Sequence, residues 1–410
     1  MKRVNGDGLG IYLSFPFCRS KCTYCNFASG VYPASEQALY VRRLTEELHS
    51  ASAWAANMGV ELPRMVDSVY FGGGTPSLLE PEHIQTIFTT LRQQFQLEPD
   101  AEVTVECAPG QLADATLDAM ATEGVNRVSL GVQSFIDREA QVSGRLHSRA
   151  VVLEDLSRLR KAGINDLNVD LIAGLAGQTF DSWRESLDVL LETGVAHASI
   201  YMLEVDEDSR LGREMIAGGA RYHAELVPTD DAIAAMYESA VERLAAAGLA
   251  QYEISNFARA KRESRHNLRY WERRPYLGVG LDASSMLRAE GDEGYVLRAT
   301  TTDDLHAFLE GSEPAETAWL SPERQHEEAW FLGLRLNRGV RISALRREFG
   351  EERVARALKV VDRLVERGLA QANRGVVRLT ALGRLLSNEA FQEFLSADIE
   401  VAEEEQAAIM

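Results

Sequence analysis

The chain has 410 residues, with 43 Lys and Arg against 62 Asp and Glu and a formal net charge of −19. Hydrophobic residues make up 45% and charged residues 26%, which excludes a collagen, a disordered chain and a disulfide scaffold and leaves enough apolar material for a sizeable core. The acidic balance argues against nucleic acid as a partner, because that affinity comes from Lys and Arg neutralising phosphates.

At the N-terminus, Lys2 and Arg3 are not followed by the apolar stretch of a signal peptide. No run in the chain reaches the roughly 18 apolar residues of a membrane helix. A cytoplasmic, reducing location is therefore expected, where cysteines are more often ligands or catalysts than disulfides. Short β-rich runs are predicted at 10–17, 66–72, 102–108, 127–133, 165–172, 198–203 and 251–257. Helical apolar spacing occupies 34–56, 81–95, 113–123, 150–162, 180–193 and 230–247. Gly124, Gly163, Gly194 and Gly248 stand where these helices should stop. This alternation predicts an α/β fold of parallel strands with crossover helices, a partial (β/α)6 TIM-like barrel with its chemistry at the C-terminal strand ends.

The barrel is expected to occupy 1–290, and the rhythm changes near Asp282. The polar, turn-rich residues 291–320 read as a linker. Residues 321–390 read as helices at 322–336, 342–349 and 351–366, then two short strands at 369–372 and 376–379 joined by Asn373-Arg374-Gly375. This is a C-terminal winged-helix-like α+β domain, and the acidic charge favours packing or partner docking over DNA binding. The acidic tail at 391–410, with Glu400–Glu405, is expected to fray.

There are 4 cysteines. Cys18, Cys22 and Cys25 form C-x3-C-x2-C in the loop after the first predicted strand. Three readings compete. A structural zinc site needs four closed ligands, and no fourth Cys or His lies near this loop. The thiols could be structural or redox-active. A cubane [4Fe–4S] cluster takes one thiolate per iron, so three thiolates leave one iron open. Cys107 reads either as a buried small apolar residue or as a thiol beside Glu106 with no assigned task.

The spacing Cys18–Cys25, with Tyr24 before the last cysteine, resembles the signature of the radical S-adenosylmethionine (SAM) superfamily. The resemblance implies a [4Fe–4S] cluster on Cys18, Cys22 and Cys25 whose open iron chelates the amino and carboxylate groups of SAM. It also implies reductive cleavage of SAM to a 5′-deoxyadenosyl radical, with Tyr24 packed near the adenine. Gly72-Gly73-Gly74-Thr75 follows the second strand, either as a tight turn or as backbone that approaches a ligand closely. It resembles the family's motif for the SAM amino group. Glu106, Gln133 and Asp170 end the third, fourth and fifth strands, and Arg145 follows the fourth. Taken singly, each could be a surface or core residue. As a set they could bind an amine (Glu106), ribose hydroxyls (Gln133 and Asp170) and a carboxylate (Arg145).

A narrower resemblance covers about residues 11–386. Tyr12–Cys18, Phe71–Leu78, Gly124–Phe135, Gly144–His147 and Asp170–Thr179 look like the family that contains anaerobic coproporphyrinogen III oxidase and the heme chaperone HemW. It implies SAM contacts at Tyr12, Gly73, Gly74, Thr75, Glu106, Gln133, Arg145 and Asp170. The oxidase pattern has a further cysteine where this chain has Phe27, and a longer extension where 17 residues precede Cys18. Both differences favour the chaperone branch. His266-Asn267-Leu268-Arg269-Tyr270-Trp271 resembles the HNxxYW motif associated with heme binding, and the bland alternative is a His and two aromatics packed on the barrel. Three departures stand out: Asp282 and Ser284 replace the usual Gly and His, and Asn26 stands where Asp is usual.

The expected function is a chaperone that binds heme and passes it to an acceptor protein. The acidic surface is compatible with an acceptor at a membrane. The alternative is oxygen-independent oxidative decarboxylation of coproporphyrinogen III to protoporphyrinogen IX. A third reading is radical chemistry on heme itself, such as ring opening.

Overall fold

The computed structural model describes residues 8–291, 294–311 and 316–395, so the N-terminal Lys2 and Arg3 and the acidic tail Glu400–Glu405 lie outside the described residues. Six parallel strands lie side by side in chain order: β1 (Leu9–Phe15), β2 (Met65–Gly73), β3 (Gln96–Cys107), β4 (Arg127–Gln133), β5 (Asp166–Ala173) and β6 (His197–Met202). The crossovers are α1 (Ala34–Met58), α2 (Pro81–Gln94), α3 (Asp114–Glu123), the pair α4 (Asp137–Val142) and α5 (Arg149–Lys161), and α6 (Phe180–Thr193). Then follow α7 (Arg210–Ala217) and α8 (Asp230–Ala246). This is the expected partial (β/α)6 barrel. The helices stop as the sequence requires: Gly124, Gly163, Gly194 and Gly248 all take positive φ, a conformation that glycine adopts without a Cβ clash.

Outward-facing strand residues such as Val69, Phe71, Val103, Val105, Val128 and Leu130 pack under the helices in one continuous core. The other face of each strand carries polar residues into the barrel, at Ser68, Thr104, Ser129, Asn168 and Ser199, all at most 5% exposed. A buried polar group is costly without a hydrogen-bond partner, and of these five only the Thr104 hydroxyl lacks one among the described residues. Asn168 therefore bonds Ser129, Asp170, Ser199 and His197 at once.

Two stretches differ from the sequence reading. The run 251–257 breaks into β7 (Ala250–Gln251) and β8 (Asn256–Ala258), antiparallel to β6 in the case of β8. The break is a turn closed by the buried Glu253, whose carboxylate accepts from the Ser255 amide and the Asn256 side chain. The expected linker at 291–320 also extends the sheet. After α9 (Arg265–Trp271), β9 (Tyr276–Val279) pairs parallel with β1. The strands β10 (Ser284–Arg288), β11 (Val296–Thr300) and β12 (Glu316–Leu320) continue outward as an antiparallel meander, with α10 (Leu305–Glu310) between the last two. The result is a 12-stranded sheet ending in β12, on which Trp319 is 45% exposed.

The C-terminal part has its own core around Trp330, Val354, Val361, Leu364 and Val377. Its helices α11 (Pro322–Arg335), α12 (Ile342–Phe349) and α13 (Glu351–Glu366) match the expected positions. The hairpin β14 (Ala370–Asn373) and β15 (Val376–Leu379) gains a third strand, β13 (Val340–Arg341), and α14 (Ala381–Leu385) follows. Arg335 reaches the Glu253 carboxylate at 3.4 Å and lies over the Trp271 ring at 4.2 Å, so this unit grips the barrel beside α9.

Asp282 takes φ +52°, in the region that favours glycine. Asp282→Gly is expected to raise stability by about 1 kcal/mol, read from chemical denaturation. An unchanged or lowered midpoint would show that this backbone carries no strain.

Candidate functional site

A cleft of about 310 Å³ opens at the C-terminal ends of the parallel strands. Cys18, Cys22 and Cys25 line it, as do the predicted Tyr24, Gly73, Gly74, Thr75, Glu106, Gln133, Arg145 and Asp170. Residues from five separate strand ends thus converge as expected. The cysteine loop is held from several sides. The Cys18 amide donates to Gly30 O at 2.8 Å, and the Lys21 ammonium donates to Phe27 O and Ser29 O at 3.1 and 3.0 Å. The Thr23 amide bonds Ser143 O, and Thr23 O accepts from the Leu211 amide on α7.

The glycine run is a close-approach device. The Gly74 and Thr75 amides donate to Phe15 O and Phe17 O at 2.6 and 2.8 Å, tying this turn to the start of the cysteine loop. A Cβ at Gly74 would come within 2.7–2.8 Å of those same two carbonyls. The Thr75 hydroxyl points to Cys18 Sγ at 3.6 Å.

The thiols are free, and among the described residues no group of three or more His, Cys, Asp and Glu converges as a single-ion site requires. Three thiols from one loop fall short of the four closed ligands of structural zinc and suit a polynuclear cluster with one thiolate per iron. Burial raises the Cys18 thiol pKa, and the Thr75 hydrogen bond opposes that rise. Three buried polar atoms on residues that line this cleft lack partners among the described residues: Gln111 Oε1, Gln133 Oε1 and Arg145 Nε. Gln133 also holds φ +70°, unusual for a side chain with a Cβ. Orphaned polar atoms facing a cleft signal an absent ligand. An amine, hydroxyls and a carboxylate would satisfy this donor and acceptor set, so the residues fit a [4Fe–4S] cluster with SAM.

The carboxylates are set differently. Asp170 accepts from Ser129 and Asn168 at 3.0 and 2.7 Å; burial raises its pKa and these bonds oppose the rise. Burial pushes Glu106 up to about 7, against the hydrogen bond that the Tyr70 hydroxyl donates at 2.8 Å. Cys107 is buried and its thiol is pushed up to about 12, which fits the packing reading of that residue. Ser129, Gly131 and Tyr201 also line the cleft and were not predicted. Their signal is the period-two alternation: Ser129 and Gly131 share the inward face of Gln133 on β4, and Tyr201 shares that of Ser199 on β6.

Two expectations are corrected. Tyr12 does not line the cleft; it stacks on Tyr70 one layer below, with ring centroids 6.0 Å apart. His266 does not offer a free imidazole. It is 1% exposed, its Nδ1 is 3.0 Å from Ser68 Oγ, and its Nε2 is 2.9 Å from the Tyr270 hydroxyl. Helix α9 closes the barrel at the end opposite the cleft, where the Glu102 carboxylate accepts from the Arg265 and His266 amides. Asn267, Tyr270 and Trp271 are each half-buried there.

Residues 12–190 match the family model described as the Radical SAM superfamily, and residues 320–386 match the HemN C-terminal domain. The heme chaperone HemW of Lactococcus lactis is 32% identical over 95% of this chain and 97% of its own length. That of Bacillus subtilis is 31% identical over 94% and 98%. The solved coproporphyrinogen III oxidase HemN of Escherichia coli superposes with a TM-score of 0.80 at 23% identity, covering 95% of this chain and 90% of the other. Among the described residues, no helix is long and apolar enough to cross a membrane.

Glu106 generates a stability prediction. Its folded pKa lies above the ordinary 4.5, so the folded state binds more protons than the unfolded chain between those two values. The stability it contributes is present below about 4.5 and lost as pH rises through about 7. Glu106→Gln, neutral throughout, should raise the thermal midpoint of the cluster-free protein at pH 8 but not at pH 5. The difference is on the order of 2 kcal/mol. An equal effect at both pH values would refute the buried, elevated carboxyl.

Proposed function

The chain belongs to the family of the heme chaperone HemW, within the radical SAM superfamily, and from that premise we propose that it binds heme and passes it to an acceptor protein. The carrying observation is the likeness to HemW chaperones over nearly the whole chain, joined to a cleft in which one loop presents three thiols, while the fourth lining cysteine, Cys107, is buried on β3. Phe27 stands at the cleft mouth, 60% exposed, where the decarboxylating branch has a cysteine.

Cys18, Cys22 and Cys25 would hold a [4Fe–4S] cluster. When bound, the cluster and SAM supply one-electron chemistry at an open iron. The chain's own residues bind and orient. Gly73, Gly74 and Thr75 bring backbone against the ligand, and Tyr24 closes one wall with its hydroxyl 3.4 Å from Arg145 Nη2. Arg145 supplies a guanidinium fork for a carboxylate, Gln133 and Asp170 take hydroxyls, and Glu106 accepts from an amine. Free thiols of this kind suit the reducing cytoplasm as the site of action.

Heme is the cargo. Ligation of its iron by His266 requires the hydrogen bond of the ligating nitrogen to break and the buried ring to be uncovered, so we assign such ligation to a state in which α9 has left the barrel floor. The acceptor is a protein, and a membrane-associated one is compatible with the acidic surface.

One anaerobically reconstituted preparation tests the reading. Hemin titration is expected to give a saturable Soret band near one heme per chain, with no protoporphyrinogen formed from coproporphyrinogen III. Decarboxylation at ordinary enzymatic rates would replace the chaperone with the oxidase. Cys22→Ala is expected to lose the cubane absorbance, and retention of a full cluster would refute the ligand set.

A further inference from the structure

The interior of the barrel contains a column of rings that connects its closed end to the cleft. On β2, Ser68 and Tyr70 point inward two residues apart, and Gly73 ends the strand at the cleft. His266 sits at the base of this column. With both ring nitrogens bonded to hydroxyls and its backbone amide held by Glu102, it cannot turn. Burial lowers its pKa to about 3, assisted by the neighbouring Arg269, so the imidazole is neutral. Its ring lies against that of Tyr70, with centroids 5.2 Å apart and planes at 30°. Tyr12, from β1, stacks on Tyr70 from the side at 6.0 Å and 25°. The far end of Tyr70 is the hydroxyl that donates to Glu106 Oε1.

We propose that His266 is a positioning residue for the SAM site, holding Tyr70 so that its hydroxyl fixes the Glu106 carboxylate. The proposal rests on the reading of the cleft as a SAM site and adds a role for the barrel floor within it. Glu106 faces Tyr70 from β2, Tyr12 from β1, Asp170 from β5, Tyr201 from β6, Tyr270 from α9, Arg145 from the loop after β4, the Gly73 amide and its own neighbour Cys107. Of these, Asp170 disfavours its charge, whereas the Tyr70 hydroxyl, the Gly73 amide and Arg145 favour it. A loosened Tyr70 removes one of the three supports. The carboxyl then holds its proton to higher pH, and a protonated acid is a poorer acceptor for an amine.

The test uses full-length, anaerobically cluster-loaded protein, with SAM affinity measured calorimetrically from pH 6 to 8.5. Iron content and thermal midpoint are recorded for every variant, so misfolding is scored separately. Tyr70→Phe is expected to weaken SAM binding at pH 7 by about tenfold and to move the midpoint of the pH profile up by roughly one unit. His266→Ala is expected to shift the midpoint in the same direction, and the double variant to be no worse than Tyr70→Phe alone. His266→Phe, which keeps a ring against Tyr70, should return the midpoint toward that of the wild type. A His266→Ala profile with an unmoved midpoint overturns the proposal, as does a double variant whose losses add. If wild-type protein binds no SAM, the reading of the cleft itself fails and the proposal fails with it.

Discussion

Everything about this molecule depends on a barrel interior that is polar and yet closed to water at one end. Buried hydroxyl, amide and imidazole groups are costly unless each finds a partner. Asn168 is the junction that meets this demand. It bonds Asp170 on the side of the cleft and His197 on the other. His197 continues to the Tyr252 hydroxyl, and that hydroxyl accepts from the Ser264 amide at the start of α9. Burial keeps His197 neutral, so it can donate through one nitrogen and accept through the other. The carboxylate at the cleft and the helix at the floor therefore belong to one hydrogen-bonded framework.

The elements that position the site were legible in the sequence because their signals are local. C-x3-C-x2-C, the glycine run and the polar residues at strand ends each declare themselves within a few positions. The six βα units follow from hydrophobic period alone. What escaped depends on distant pairing. β10 to β12 occupy turn-rich sequence and are strands because each finds an antiparallel neighbour, as Leu297 does opposite both Leu287 and Trp319. His266 illustrates the same limit at the site. Its neighbours in the chain suggested a ligand, but its state is set by Ser68, 198 positions away. Helix α7 was missed too: it is short, and it is placed by its contacts with the cysteine loop.

Charge shows how little an average says about a cleft. The chain carries −19 overall, yet Lys21 and Arg145 stand at the cleft beside Glu106 and Asp170. A zwitterionic ligand with both an amine and a carboxylate meets complementary groups there, which neither a basic nor an acidic pocket would offer. The surrounding acidity acts at longer range and is screened within about 10 Å at ordinary ionic strength.

The sheet does not close on itself, and an open sheet has an outer border. At β12 that border displays backbone donors and acceptors alongside the exposed Trp319, the kind of edge on which another copy of the chain can add a strand. Glu316 places a carboxylate at one end of the strand, and Pro322 withholds a backbone donor just beyond the other. A charge at the strand end and a helix that begins at Pro322 limit how far such an added strand could run. The border of the sheet is thus guarded by residues remote from the cleft and without chemistry of their own.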